Sequence, residues 1–185
     1  VPDRPYPFLA PPMLHDTGTG TWLSQMPAIM MYLGRRFDRL TEPDQTLRLV
    51  CDCSDILLEV TRGHGAQLWD GPTWQAFLAE RLPLWMALHE EMAMRAGITV
   101  GEGLFFGAED PGVADLTLAA LWGTMVETLP PVAPLLMETA PRIISTALSS
   151  LGSSTCTTWK RRVSAGSFSM CFLYSAQVVA ATVRS

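Results

Sequence analysis

The chain has 185 residues, 48% of them hydrophobic and 17% charged, and carries a formal charge of −5. That apolar content excludes a disordered chain, and the length suffices for one sizeable core or for two units sharing an interface. The acidic balance excludes nucleic acid as a partner, which requires a basic footprint.

Prolines at 2, 5, 7, 11 and 12 make the opening a loop. Residues 13–15 and 21–23 read as two short strands joined by the turn Asp16-Thr17-Gly18-Thr19-Gly20. Ser24 is the expected N-cap of a helix with Pro27 in its first turn. Ala28, Ile29, Met31, Tyr32 and Leu33 recur at helical spacing, and Gly34 is the expected stop.

From Asp44 onward every element reads as helix. Leu47, Val50, Leu57, Leu58 and Val60 support one, closed by Gly63 and Gly65. Trp74, Phe77, Leu78, Leu82, Trp85, Met86, Leu88 and Met92 support a second that runs to Gly97, with a kink expected at Pro83. Residues 112–127 and 134–148 predict a third and a fourth. His89 is expected on a face of this bundle, and Met26, Met30, Met31, Met86, Met92 and Met94 as core filling.

The four cysteines are Cys51, Cys53, Cys156 and Cys171. Residues 1–9 lack the apolar stretch of a secretory leader, so free thiols in a reducing cytoplasm are the expectation. Cys51 and Cys53 diverge by about 200° on a helix, and no metal site is expected. No acidic residue follows Glu138; Ser and Thr crowd residues 145–158, and residues 168–183 are apolar. That last stretch is too short and too polar for a membrane span, so no membrane partner is expected. The chain thus divides into a strand–strand–helix unit over 1–40, an all-helical unit over 41–150, and an atypical low-acid tail over 151–185.

Three patterns carry a family resemblance. Ala10-Pro11-Pro12-Met13-Leu14-His15-Asp16 is similar to the turn before the third strand of thioredoxin-like domains, where the second proline is cis. Gln25-Met26-Pro27-Ala28-Ile29-Met30-Met31-Tyr32-Leu33 resembles the "Gln-Ser-x-Ala-Ile-x-x-Tyr-Leu" helix opening of cytosolic glutathione transferases. Glu80-Arg81-Leu82-Pro83-Leu84-Trp85 with Glu90, then Gly112-Val113-Ala114-Asp115, resembles that family's helical-domain motifs, including its capping box. The implied fold is mainly α: a remnant of a thioredoxin-like α/β domain, with two short strands and a helix, followed by an all-α glutathione-transferase C-terminal bundle.

The resemblance assigns glutathione binding to Pro11, Pro12, Gln25 and Met26. Pro11 would use its carbonyl alone, having no N–H. Met26 stands where the family has serine, which removes a side-chain bond to the glutathione carboxylate worth about 1.5–3 kcal/mol. Asp52 and Asp55 would reach glutathione on the neighbouring subunit. Gly112 and Asp115 would cap a helix, with Asp115 a folding residue rather than a catalytic one. The thiol-activating Tyr, Ser or Cys of the family belongs well upstream of Pro12, so no catalytic residue is assigned, Tyr6 included. With that strand missing, an unpaired sheet edge beside Met13 and Leu14 is expected. The implied activity is conjugation of the glutathione thiolate to apolar electrophiles by a cytoplasmic homodimer, weak or absent in this truncated chain. The alternative is a non-catalytic scaffold or interaction module with the same fold. Glutathione enters as substrate.

Overall fold

In the computed structural model, which describes residues 6–9, 11–152, 168–174 and 177–181, β1 (Met13–Asp16) and β2 (Thr21–Ser24) form an antiparallel hairpin. Its turn is tied by Asp16, whose carboxylate accepts the N–H groups of Gly18 at 2.9 Å and Thr19 at 3.3 Å. The hydroxyl of Tyr32 donates to the other carboxylate oxygen at 2.5 Å, fixing the turn to α1 (Met26–Arg36). Leu14, Ile29 and Leu33 make the small core under this unit.

Two expectations about α1 fail. Ser24 does not cap it: Ser24 is the last residue of β2, paired opposite Met13, and Gln25 holds the N-cap position. Gly34 does not stop it, and the helix runs two residues further. Gly34 is instead a close-approach residue, since a Cβ there would lie 2.6 Å from Val113 Cγ2 and 3.2 Å from Leu40 Cβ.

The tail segment β3 (Phe168–Tyr174) pairs antiparallel with β1, and β4 (Gln177–Ala181) with β3, giving the order β2-β1-β3-β4. The expected open edge beside Met13 and Leu14 is therefore covered. Aromatic and aliphatic residues in that tail suit a strand as well as they suit an apolar loop.

The bundle begins with α2 (Pro43–Val60), which buries Leu49, Val50, Cys53 and Ile56 and leaves Leu47, Leu57 and Leu58 exposed. The next helical run is α3 (Gly71–Ala76), a π-helical turn (Phe77–Arg81) and α4 (Leu82–Arg95). The expected kink at Pro83 takes the form of that π-turn. Leu82 N–H bonds to Phe77 O, five residues back, so Pro83, with no N–H of its own, sits in the first turn of α4. The fourth helix expected over 134–148 is two, α6 (Val132–Thr139) and α7 (Pro141–Gly152). Pro141 forces the break, because its ring disfavours helical backbone at Ala140, which stands at φ −140°, ψ 64°. Glu90 caps α7 from α4, accepting Arg142 N–H at 3.0 Å and pairing with its guanidinium at 2.7 Å.

At the centre lies α5 (Val113–Thr128), buried along most of its length. Its Trp122 indole donates to His89 Nδ1 at 3.0 Å. His89, expected on a face of the bundle, is fully buried on the inward face of α4. It falls on the buried stripe of that helix with Leu82, Met86 and Ala93, so its inward position follows the helical spacing, whereas its partner Trp122 stands on another helix.

Candidate functional site

The hairpin register decides which residues share a site. Met13 stands opposite Ser24, so Pro11 and Pro12, which precede β1, end up at the same end of the ribbon as Gln25 and Met26, which follow β2. The Pro11–Pro12 peptide bond is cis, and both prolines are half-buried. Gln25 is exposed and has φ 74° and ψ 123°. Positive φ at a non-glycine residue is uncommon and strained, and such residues gather at binding sites.

That conformation turns the chain directly from β2 into α1. The first intrahelical bond is Ile29 N–H to Gln25 O at 3.1 Å. Helix geometry therefore leaves the N–H groups of Met26 and Ala28 without an intrahelical acceptor, while Pro27 has none to offer. These donors and the positive end of the helix dipole suit a carboxylate. Met26 supplies only its backbone, since its half-buried side chain packs against the bundle core.

Asp52 and Asp55 stand on α2. Asp55 is exposed, and the Asp52 side chain is 18% exposed. Arg48 Nε lies 3.8 Å from Asp52 Oδ2, which is buried without a hydrogen-bond partner. Burial, with help from the Asp55 charge, pushes the Asp52 carboxyl up against the opposing pull of Arg48. Burial and both aspartates also raise the Cys51 thiol, so it is not an activated nucleophile.

Gly112 and Asp115 stand at the start of α5. Asp115 accepts Gly112 N–H at 3.0 Å and Phe105 N–H at 2.9 Å, both buried. Glycine has no side chain to return the bond, so one arm of a capping box is present. The arm that reaches Phe105 ties the preceding loop to the helix and is not visible in the spacing.

The reading of residues missed Asp16 and Tyr32 as a pair, although an aspartate opening a Thr-Gly-rich turn is a signal for such a tie. Burial raises the Asp16 carboxyl, but its bonds from Tyr32, Gly18 and Thr19 outweigh this and leave it below the usual range. Tyr6 stacks on Trp22 with ring centroids 6.2 Å apart, and His15 stacks on the same ring at 3.8 Å. Among the described residues no group of three or more His, Cys, Asp or Glu is placed to hold a metal ion. No described helix is long and apolar enough to cross a membrane.

A search of curated proteins finds no match to the chain. The family model of the glutathione S-transferase C-terminal domain matches residues 45–161, from the second residue after α2 begins to beyond the end of α7. That span is well over half of the sequence and contains the buried core of the bundle, and the chain belongs to the glutathione S-transferase family.

Proposed function

We propose that the end of the β1–β2 hairpin binds glutathione, with Pro11 and Pro12 offering backbone to its cysteinyl part and Gln25 and Met26 holding its γ-glutamyl carboxylate. The observation that carries this reading is the strained Gln25 at the N-terminus of α1, brought to the same end of the hairpin as Pro11 and Pro12 by the pairing of Met13 with Ser24. A backbone held at φ 74° needs a reason, and aiming helix-end donors at an anion supplies one.

The proposed reaction is attack of the glutathione thiolate on an apolar electrophile, a detoxifying conjugation carried out in the cytoplasm by a homodimer. Asp52 and Asp55 are the proposed contacts to glutathione on the partner subunit. Asp55 suits this role because it is exposed, whereas the unpartnered Oδ2 of Asp52 is buried within its own chain. Residues 1–185 should conjugate weakly: Pro11 and Met26 each remove a donor, and no described residue is assigned the task of activating the thiol.

Isothermal titration with glutathione tests the site. Binding that Gln25→Ala weakens by about tenfold, the loss of one charge-assisted bond, is the expected result. A folded protein that takes up no glutathione overturns the reading and favours an interaction module with the same fold, for which the loss of both donors would be harmless.

A further inference from the structure

The strand that covers the edge of β1 is longer than the edge itself. β3 meets β1 over four residues, from Phe168 opposite Asp16 to Cys171 opposite Met13. There the ladder stops, because the residues that precede Met13 are Pro12 and Pro11, which have no N–H to offer. β3 does not stop with it. Phe172, Leu173 and Tyr174 continue as strand, paired on their other side with Val179, Val178 and Gln177 of β4.

The register sets the direction of this overhang. β1 and β3 are antiparallel, so the residues after Cys171 run past Met13 toward the prolines before it. The same register continued by two residues sets Phe172 opposite Pro12 and Leu173 opposite Pro11. This end of the ribbon also holds Gln25 and Met26, since Met13 pairs with Ser24 across the hairpin. On the side turned toward the prolines, no described strand pairs with the backbone of residues 172–174.

An extended backbone in that position lies beside the Pro11 carbonyl, the acceptor that the proposed site gives to the cysteinyl part of glutathione. A strand edge takes up an extended peptide by main-chain pairing, and one edge admits one such occupant at a time.

We propose that β3 is an autoinhibitory strand: its overhang fills the place beside Pro11 and Pro12 that glutathione would take, and the tail leaves β1 before glutathione binds. The inference rests on the glutathione reading of the hairpin end. Within the sheet β4 pairs with β3 alone, so the two strands leave together. Tail and glutathione then compete for one edge. The apparent affinity of the whole chain is its intrinsic affinity reduced by the fraction of molecules whose tail is released.

Amide hydrogen exchange of the whole chain, with and without saturating glutathione, tests this directly. Residues 168–174 should exchange at least about tenfold faster with glutathione bound, the reverse of the protection that a ligand confers on a strand it touches. A second measurement uses the double variant Phe168→Pro, Ser169→Pro. Both residues pair with β1 and neither pairs with β4, and of two consecutive strand residues one directs its N–H at a given neighbour. The prolines therefore loosen the tail from β1 and leave Pro11, Pro12, Gln25 and Met26 unaltered. Isothermal titration should show that the variant binds glutathione about tenfold more tightly than the unaltered chain. The exchange experiment needs no substitution and stands whatever the prolines do to folding. Glutathione bound with unchanged or slowed exchange over 168–174, or with equal affinity by both proteins, overturns the autoinhibitory strand and leaves the glutathione site standing. No uptake by either protein overturns the site, and this inference with it.

Discussion

Gln25 and Met26 show how neighbouring residues can serve different masters. Gln25 is exposed and strained, and its conformation answers to the helix end it presents. Met26 is turned away from that end and half-buried against the bundle. A serine at 26 would exchange core contact for a hydroxyl at the proposed carboxylate position. Met26→Ser should therefore move two readouts in opposite directions. Glutathione affinity should rise about tenfold, the worth of one bond to a charged group. Stability should fall by about 1–2 kcal/mol, less than for a fully buried methionine. Titration calorimetry and thermal unfolding check both, and affinity that falls together with stability would remove Met26 from the site. Much of this was legible beforehand, because the order Gln25-Met26-Pro27-Ala28-Ile29 can be read directly. The strain at Gln25 was not, since φ at one residue depends on where β2 ends and α1 begins.

Among elements, glycine gave a mixed signal. Gly63 and Gly65 do follow the end of α2, and both have positive φ. Gly34 has the same place in the local pattern, yet it lies inside α1 and is buried against the first residue of α5. Sequence spacing cannot separate a glycine that ends a helix from one that admits a neighbour, because the neighbour is Val113, far along the chain. The same limit hid the Trp122–His89 bond and the arm of Asp115 that reaches Phe105. Patterns internal to one element, such as the strands 13–15 and 21–23, involve no distant partner; the break at Pro141 is equally local, yet the single helix expected over 134–148 ran through it. In Gly34→Ala two effects compete. Alanine favours the helix by about 1 kcal/mol. Its Cβ would stand 2.6 Å from a β-branched side chain with little freedom to move, and overpacking of this kind costs about 1–3 kcal/mol. The clash should win, lowering the urea midpoint. Val113→Ala in the same chain should restore part of the loss, with a coupling of at least about 0.5 kcal/mol. Strictly additive effects would mean that α1 does not dock on α5 through this contact.

At the scale of the whole molecule, the hairpin unit has three fully buried apolar residues of its own, whereas the bundle has a continuous core. A core that small does not support an independent fold, so the proposed glutathione site inherits its stability from the bundle. His89 makes that stability depend on pH. Burial is the main cause, with the Arg48 charge adding to it, and together they bring the His89 imidazole down to about 4 from an ordinary value of 6.5. Its Nδ1 accepts from Trp122, so protonation would also set a donor against a donor. Between these two values the unfolded chain binds the proton and the folded chain does not. Stability contributed by neutral His89 is thus complete above pH 6.5 and is lost as pH falls toward 4, by at most about 3 kcal/mol. Asp115 works in the opposite sense. Burial, opposed by its backbone bonds, raises its carboxyl, so its folded form gains relative stability as the pH drops. Comparison with His89→Gln separates the two, because Asp115 is common to both proteins and glutamine can still accept from Trp122 without titrating. The variant should be the less stable protein at pH 7, and the gap should narrow by about 3 kcal/mol by pH 4, as read from urea unfolding at each pH. A gap that stays constant across this range would show that His89 does not remain neutral in the folded core.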